Sequence, residues 1–252
     1  MFSLSPLIAA YNSSVTTKYS YDVDGQLIQV DKGTSSPPSG SGFTAQETAT
    51  FAYDAAGNEI RQTVFDGGST TQPKLSLTQL NYDADDRPLC TAARNNAAVF
   101  GSLPAACVQS APGPDGPDHI GKLVYDAAGQ KTQEVRGIGT AEQEAYATYV
   151  YSQNGKVTRI KDANVNLTAL TYDGFDRLSR MNFPSTTLGA GTFDPNDFEA
   201  YSYDANGNRL IFTRRDGNTI TASYDALSTQ SRNVPRFPQV GMSPGWRSVL
   251  GG

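Results

Sequence analysis

Short segments of alternating polarity, each followed by the same kind of turn, run along most of this chain. A tyrosine recurs with an apolar residue two positions before it: Tyr19 and Tyr21, Phe51 and Tyr53, Leu80 and Tyr82, Leu123 and Tyr125, Tyr149 and Tyr151, Leu170 and Tyr172, Tyr201 and Tyr203, Ala222 and Tyr224. A spacing of two puts both side chains on one face of a strand. The intervening residues are mostly Ser, Ala, Asn or Thr, so each segment reads as a half-buried strand with its tyrosine on the packed side.

A turn follows each tyrosine. Asp-x-x-Gly stands after it at Asp22 to Gly25, Asp54 to Gly57, Asp126 to Gly129 and Asp204 to Gly207. Asp at the first position accepts hydrogen bonds from the turn backbone, and Gly takes the positive φ of the closing bulge. The chain then returns as a second strand, over residues 26–30, 59–64, 131–135, 156–160, 178–181 and 209–213. Their mixed polarity suits a sheet exposed on one face. Between hairpins, the Pro, Gly and Ser content predicts loops over 31–43, 66–72, 137–142 and 184–197, with tight reversals at 162–166 and 216–218. No segment has sustained helical periodicity; residues 142–149 come nearest.

The turns belong to an internal repeat. Tyr-Asp occurs at Tyr21-Asp22, Tyr53-Asp54, Tyr82-Asp83, Tyr125-Asp126, Tyr172-Asp173, Tyr203-Asp204 and Tyr224-Asp225, so seven of the 13 tyrosines precede Asp. Chance would supply about one such pair. An eighth copy, Tyr151 to Gly155, has Ser152 in place of Asp. Successive repeat tyrosines lie 32, 29, 43, 26, 21, 31 and 21 residues apart, a bare unit of 21 with insertions of variable length. The expected fold is all-β: consecutive antiparallel β-hairpins forming a continuous curved sheet. The repeat region spans residues 15–235 with an insertion at 90–118. A poorly ordered segment is expected at 1–14 and an off-pattern tail at 236–252.

The motif is fullest at Tyr203-Asp204-Ala205-Asn206-Gly207-Asn208-Arg209-Leu210, with a close copy at Tyr172-Asp173-Gly174-Phe175-Asp176-Arg177-Leu178. It resembles the YD repeat of bacterial Rhs proteins. Departures fall at Asp86 and Asp176, where Gly is expected, at Ser152, and after Tyr224-Asp225, where Ser228 to Gln230 replace the usual Gly/Asn-Arg-Leu. Residues 87–107, closed by Gly116-Pro117-Asp118, are similar to an insertion common in proteobacterial Rhs chains. The resemblance implies a β-shell that encloses or presents a toxin or other effector in bacterial competition, of which this chain is an arc. Partners implied are the remaining repeats and a C-terminal effector of a parent protein, placed outside the cell or at its surface. The Asp-Pro-x-Gly core that releases the toxin in such proteins has no counterpart here, since Asp194-Pro195 is followed by Asn196-Asp197. No catalytic residue is therefore carried over.

Composition narrows the alternatives. The chain has 252 residues and a formal net charge of -5, which argues against a nucleic-acid binder, because counterion release needs a basic face. One histidine and two cysteines exclude multi-His and Cys₄ metal sites. No apolar run reaches membrane-span length, and residues 2–10 lack the basic region of a signal peptide. No cofactor and no enzymatic activity are expected. Asp22-Val23-Asp24-Gly25 resembles part of a calcium loop, yet Ser20 and Asp31 stand where its outer ligands belong, so a hairpin turn is the better reading. Asp83, Asp85 and Asp86 read as a solvated turn rather than an acid/base group. His119 beside a Pro/Gly loop is expected to be neither ligand nor base. Cys90 and Cys107 are candidates for one disulfide, with two independent thiols as the alternative. The tyrosines could also form a carbohydrate- or cell-surface-binding platform, the alternative function, which calls for a second, outward aromatic row.

Overall fold

A computed structural model describes residues 14–35, 42–70, 74–225, 227 and 229. The expected N-terminal segment up to residue 13 and the tail at 236–252 lie outside the described residues. Among the described residues the protein is all-β, with fifteen antiparallel strands in one sheet whose order follows the chain. It divides into two compact units, residues 1–146 and 147–252.

The first unit contains β1 (Ser14–Tyr21), β2 (Leu27–Ser35), β3 (Thr44–Tyr53), β4 (Glu59–Asp66), β5 (Lys74–Tyr82), β6 (Pro88–Arg94), β7 (His119–Tyr125) and β8 (Lys131–Arg136). The second contains most of β9 (Glu144–Tyr151), then β10 (Val157–Asp162), β11 (Leu167–Tyr172), β12 (Leu178–Pro184), β13 (Phe193–Tyr203), β14 (Arg209–Thr213) and β15 (Thr219–Thr221). Residues 142–149, the nearest to a helical pattern, fall largely in β9. A single 3₁₀ turn, Ala97–Val99, interrupts the insertion.

One register defect recurs in seven hairpins. Tyr21 pairs with Leu27 and Ser20 with Gln29, so Ile28 is left over as a bulge. The same skip follows Tyr53, Tyr82, Tyr125, Tyr151, Tyr172 and Tyr203. A bulge of this kind sharpens the twist beside the turn. Where its residue is Thr132, Thr158 or Ser179, the hydroxyl donates to the carbonyl across the bulge, at 3.2, 3.1 and 3.0 Å.

Two loops are shorter than their composition predicts. β2 continues to Ser35 and β3 starts at Thr44, because Thr48 Oγ1 donates to Asp31 at 2.6 Å and Lys32 pairs with Glu47 at 3.2 Å. Likewise β13 begins at Phe193, paired with Pro184. Polar composition announced loops where cross-strand polar pairs hold strands.

The expectation that the tyrosine face is the packed face needs correction in the first unit. Its buried residues Thr48, Thr63, Phe65, Leu77, Ala92 and Ile120 are cross-strand or same-face neighbours, and all lie opposite the tyrosines. The insertion accounts for this: Cys90, Ala92, Ala106 and Ile120 form a buried cluster, with Leu89, Cys107 and Ile138 packed against it. In the second unit most of the buried residues lie on the tyrosine face, with Asn182 buried on the other. Ala147, Tyr149, Ile160, Thr168, Phe212 and Ala222 are buried on the tyrosine face, and Tyr201 stacks on Phe212 with ring centroids 5.3 Å apart.

Candidate functional site

The repeated unit is a turn joined to a tyrosine that reaches backwards. In the turn, Gly25 N–H donates to the Asp22 carbonyl and Asp22 N–H to the Gln26 carbonyl, at 3.2 and 2.9 Å. Asp22 Oδ1 accepts from the N–H groups of Asp24 and Gln26 at 3.0 and 2.8 Å, which is how this aspartate is used. Asp54, Asp83, Asp126, Asp173, Asp204 and Asp225 repeat this double acceptance. At the variant copy, Ser152 Oγ accepts from Lys156 N–H at 3.1 Å. These bonds favour the charged carboxylate. The backbone N–H of Asn58 leads in holding Asp54 below its ordinary value, and the Asn208 amide leads at Asp204. For Asp83 and Asp173 desolvation pushes upward, but bonds from Arg87 and Arg177 outweigh it.

Gly25, Gly57, Gly129, Gly155 and Gly207 all have φ between 76 and 90°. Asp86 and Asp176 occupy the same position with φ 59°. Each is steadied by the neighbouring turn, since Asn58 Nδ2 donates to Asp86 at 3.0 Å and Asn154 Nδ2 to Asp176 at 3.1 Å.

Six of the eight repeat tyrosines then tie their hairpin to the one before through the hydroxyl. Tyr53 donates to the Leu27 carbonyl at 2.8 Å, Tyr82 to Glu59 at 3.0 Å and Tyr125 to Pro88 at 2.9 Å. In the second unit Tyr172 donates to Val157 at 2.8 Å, Tyr203 to Leu178 at 2.9 Å and Tyr224 to Arg209 at 3.1 Å. The acceptor is always the sixth residue after the preceding repeat tyrosine, the first residue of the outgoing strand. Burial raises the hydroxyl pKa of Tyr53, Tyr82, Tyr125, Tyr172 and Tyr203, so they remain donors through neutral pH. Arg87 and Arg177 add a second tie. Each is bonded to the aspartate of its own turn at 2.8 Å and lies 4.7 Å from the centre of the next tyrosine ring, Tyr125 and Tyr203 respectively.

The insertion holds a second constellation, of which the sequence nominated the cysteine pair and not the Arg94–Asp118 pair beside it. Cys90 and Cys107 are joined by a disulfide with Cα atoms 5.4 Å apart. Beside it, the buried Arg94 spends all five N–H donors: on Gln79 Oε1 at 2.6 Å, the Val108 carbonyl at 2.7 Å, Asp118 Oδ2 at 2.8 Å, and the Pro104 and Ala105 carbonyls at 3.2 and 2.9 Å. Asp118 also accepts from the N–H groups of Asn95 and Ser110, at 2.9 and 2.8 Å. Burial alone would raise its pKa; the bonds from Ser110, Asn95 and Arg94 outweigh burial and hold it at about 2. His119, the next residue, is exposed at the start of β7 and opposite Ala93. Asp83 and Asp85 hold Arg87, at 2.8 and 3.1 Å. No metal-ligating cluster occurs among the described residues.

No protein-family model and no curated protein matches the sequence. Solved structures do match in fold. Crystal structures of TcdB2-TccC3, and of TcdB2-TccC3 without its hypervariable C-terminal region, align over 86% of this chain with a TM-score of 0.53 in each case and identities of 16% and 15%. The chain spans 12% of the length of the chains it aligns with. The likeness is one of fold: this chain shares its all-β architecture with a part of TcdB2-TccC3.

Proposed function

We propose that the chain is a non-catalytic structural segment of an Rhs/YD-repeat protein, one part of a β-shell that encloses or presents a toxin or other effector outside the producing cell. The observation that carries this reading is the tyrosine ladder. A hydroxyl that bonds the preceding hairpin in six of the eight copies makes a sheet that extends by adding hairpins, whatever their loops contain. The recurring polar groups of the repeat are consumed in building that sheet, the likeness to TcdB2-TccC3 supports the architecture, and the YD-repeat resemblance of the sequence supplies a toxin-related setting for it. Partners are then the other repeats and the effector of the parent protein.

The carbohydrate-platform reading finds less support. Phe175 is 81% exposed at the third position after its tyrosine. The equivalent positions are Asp24, Ala56, Asp85, Ala128, Asn154, Asn206 and Leu227, so no aromatic row runs along the turns.

Protease challenge of the parent protein tests the shell. The effector should survive in the wild type and become cleavable when Tyr172→Ala and Tyr203→Ala are combined. An effector cleaved equally in both would defeat the reading.

A further inference from the structure

The residue before the closing glycine of a repeat turn is Asp24, Ala56, Ala128, Asn154 or Asn206. The last two form Asn154-Gly155 and Asn206-Gly207, the two Asn-Gly pairs of the chain. Both asparagines are exposed at the tip of their turn, and both glycines donate N–H to the carbonyl of the residue that opens it, Ser152 at 3.0 Å and Asp204 at 3.2 Å. The two side chains are held differently. Asn154 Nδ2 donates to Asp176 Oδ1, in the next turn, at 3.1 Å. Asn206 is bonded through its backbone N–H alone among the described residues, to Asp204 Oδ1 at 2.9 Å, and a Cβ placed on Gly207 would meet no atom within 4 Å.

A main-chain nitrogen attacks a side-chain amide most readily in an Asn-Gly pair, because glycine has no Cβ to obstruct the approach. Attack of Gly207 N on Asn206 Cγ forms a carbon–nitrogen bond and closes a succinimide ring. The Cγ–Nδ2 bond breaks, and that nitrogen leaves as ammonia with the proton of the Gly207 amide. Water then opens the ring. Opening at Cγ yields aspartate, whereas opening at the main-chain carbonyl yields isoaspartate, whose peptide link runs through the side chain. Either product adds a negative charge. Isoaspartate also inserts a methylene into the main chain between residues 206 and 208, whose N–H groups both bond Asp204 Oδ1, at 2.9 and 2.8 Å, so the turn cannot keep both bonds. At Asn154 the same attack is opposed. The bond to Asp176 fixes the amide, and the carboxylate's charge works against the charge that builds on the amide oxygen as Cγ is attacked.

We propose that Asn206 is a site of spontaneous deamidation and isomerisation in the folded chain, and that Asp176 guards Asn154 from the same reaction. One departure of the repeat thereby gains a use, an aspartate at φ 59° where the other turns have glycine. The inference stands on the two turns and not on enclosure of an effector.

Ageing the full chain in warm, mildly alkaline buffer tests it, followed by peptide mapping that separates aspartate from isoaspartate. Residue 206 should convert several-fold faster than residue 154. Asp176→Gly installs the residue the repeat favours and so keeps the turn; with an unchanged circular dichroism spectrum, it should raise conversion at 154 several-fold and leave 206 as it was. In denaturing urea the two sites should convert at equal rates. The proposal would be overturned by no conversion at 206, by equal rates in the folded wild type, or by an Asp176→Gly chain in which 154 stays slow. A difference that persisted in urea would overturn it too, since local sequence would then account for the contrast.

Discussion

The two units use one repeat and bury opposite faces of it. In the first, the strand residues least exposed to solvent lie across the sheet from the repeat tyrosines, and those on β6 and β7 pack with the insertion between these strands. In the second, all but Asn182 lie on the tyrosine side, around Tyr149, Ile160 and the Tyr201–Phe212 stack. The turn and ladder geometry is the same in both. The repeat thus dictates how hairpins join, and it leaves open which face is covered. That choice falls to whatever else the chain carries. In the first unit it is a segment pinned by Arg94, Asp118 and a disulfide; in the second it is large side chains within the strands.

The largest expected effect separates these two solutions. Arg94→Ala leaves the Asp118 carboxylate buried without its counterion, and breaking a buried pair from one side costs about 3 to 5 kcal/mol. Hydrogen exchange should accelerate across β5, β6 and β7 and stay unchanged in β11 to β14. Phe212→Ala should produce the reverse pattern at a similar cost of about 3 to 5 kcal/mol, since the ring is 5% exposed. If either substitution loosened both units equally, the two faces would not be packed independently.

How much of this could be read from the sequence follows from the range of each interaction. Asp22, Asp54 and Asp204 each act on residues two and four ahead, so Tyr-Asp-x-x-Gly declares its own turn. The ladder is half-legible. The recurrence of Tyr marks one partner, but the acceptor lies 15 to 37 residues earlier and is a backbone carbonyl, which no side chain advertises. The Arg94–Asp118 pair spans 24 residues of Pro/Gly-rich chain and follows no local spacing. Without it the insertion reads as a loop, and the tyrosine face passes for the packed face everywhere. Phe65, Leu77 and Ile120 alternate correctly for the other face, but alternation alone assigns a side chain to a face without saying which face is covered.

A second, smaller effect is specific to the first unit. Asp118 has an ordinary carboxylate pKa of 3.8 and a native value of about 2. A group depressed on folding contributes stability above its unfolded pKa and loses it as pH falls through the folded value. The contribution, about 2 kcal/mol, is therefore complete above pH ~4 and fades toward pH ~2. Acid titration followed by peptide-resolved hydrogen exchange should show residues 94–120 opening across that interval. An Asp118→Asn variant should open the same region at neutral pH and flatten its acid dependence. Persistence of the wild-type acid response in that variant would place its origin elsewhere.

The smallest effect concerns the turns, where the units again differ. Asp86 in the first unit occupies the left-handed position where the repeat has glycine, and Val165 in the second occupies the corresponding place of the 162–166 reversal between hairpins, with φ 59 and 65°. Aspartate tolerates that region, and Asp86 gains a bond from Asn58. Valine is β-branched and exposed, and a non-glycine residue held there costs about 1 to 2 kcal/mol. Glycine removes that strain but returns about 0.5 to 1 kcal/mol through the greater freedom of the unfolded chain. Val165→Gly should consequently stabilise the second unit by about 0.5 kcal/mol. Asp86→Gly gives up its bond to Asn58 as well, and a neutral change or a slight destabilisation of the first unit is expected. Paired urea titrations read by exchange in each unit would register the opposite signs. A gain from Asp86→Gly as large as that from Val165→Gly would mean that the bond between neighbouring turns contributes nothing, and that the repeat tolerates its departures from glycine by turn geometry alone.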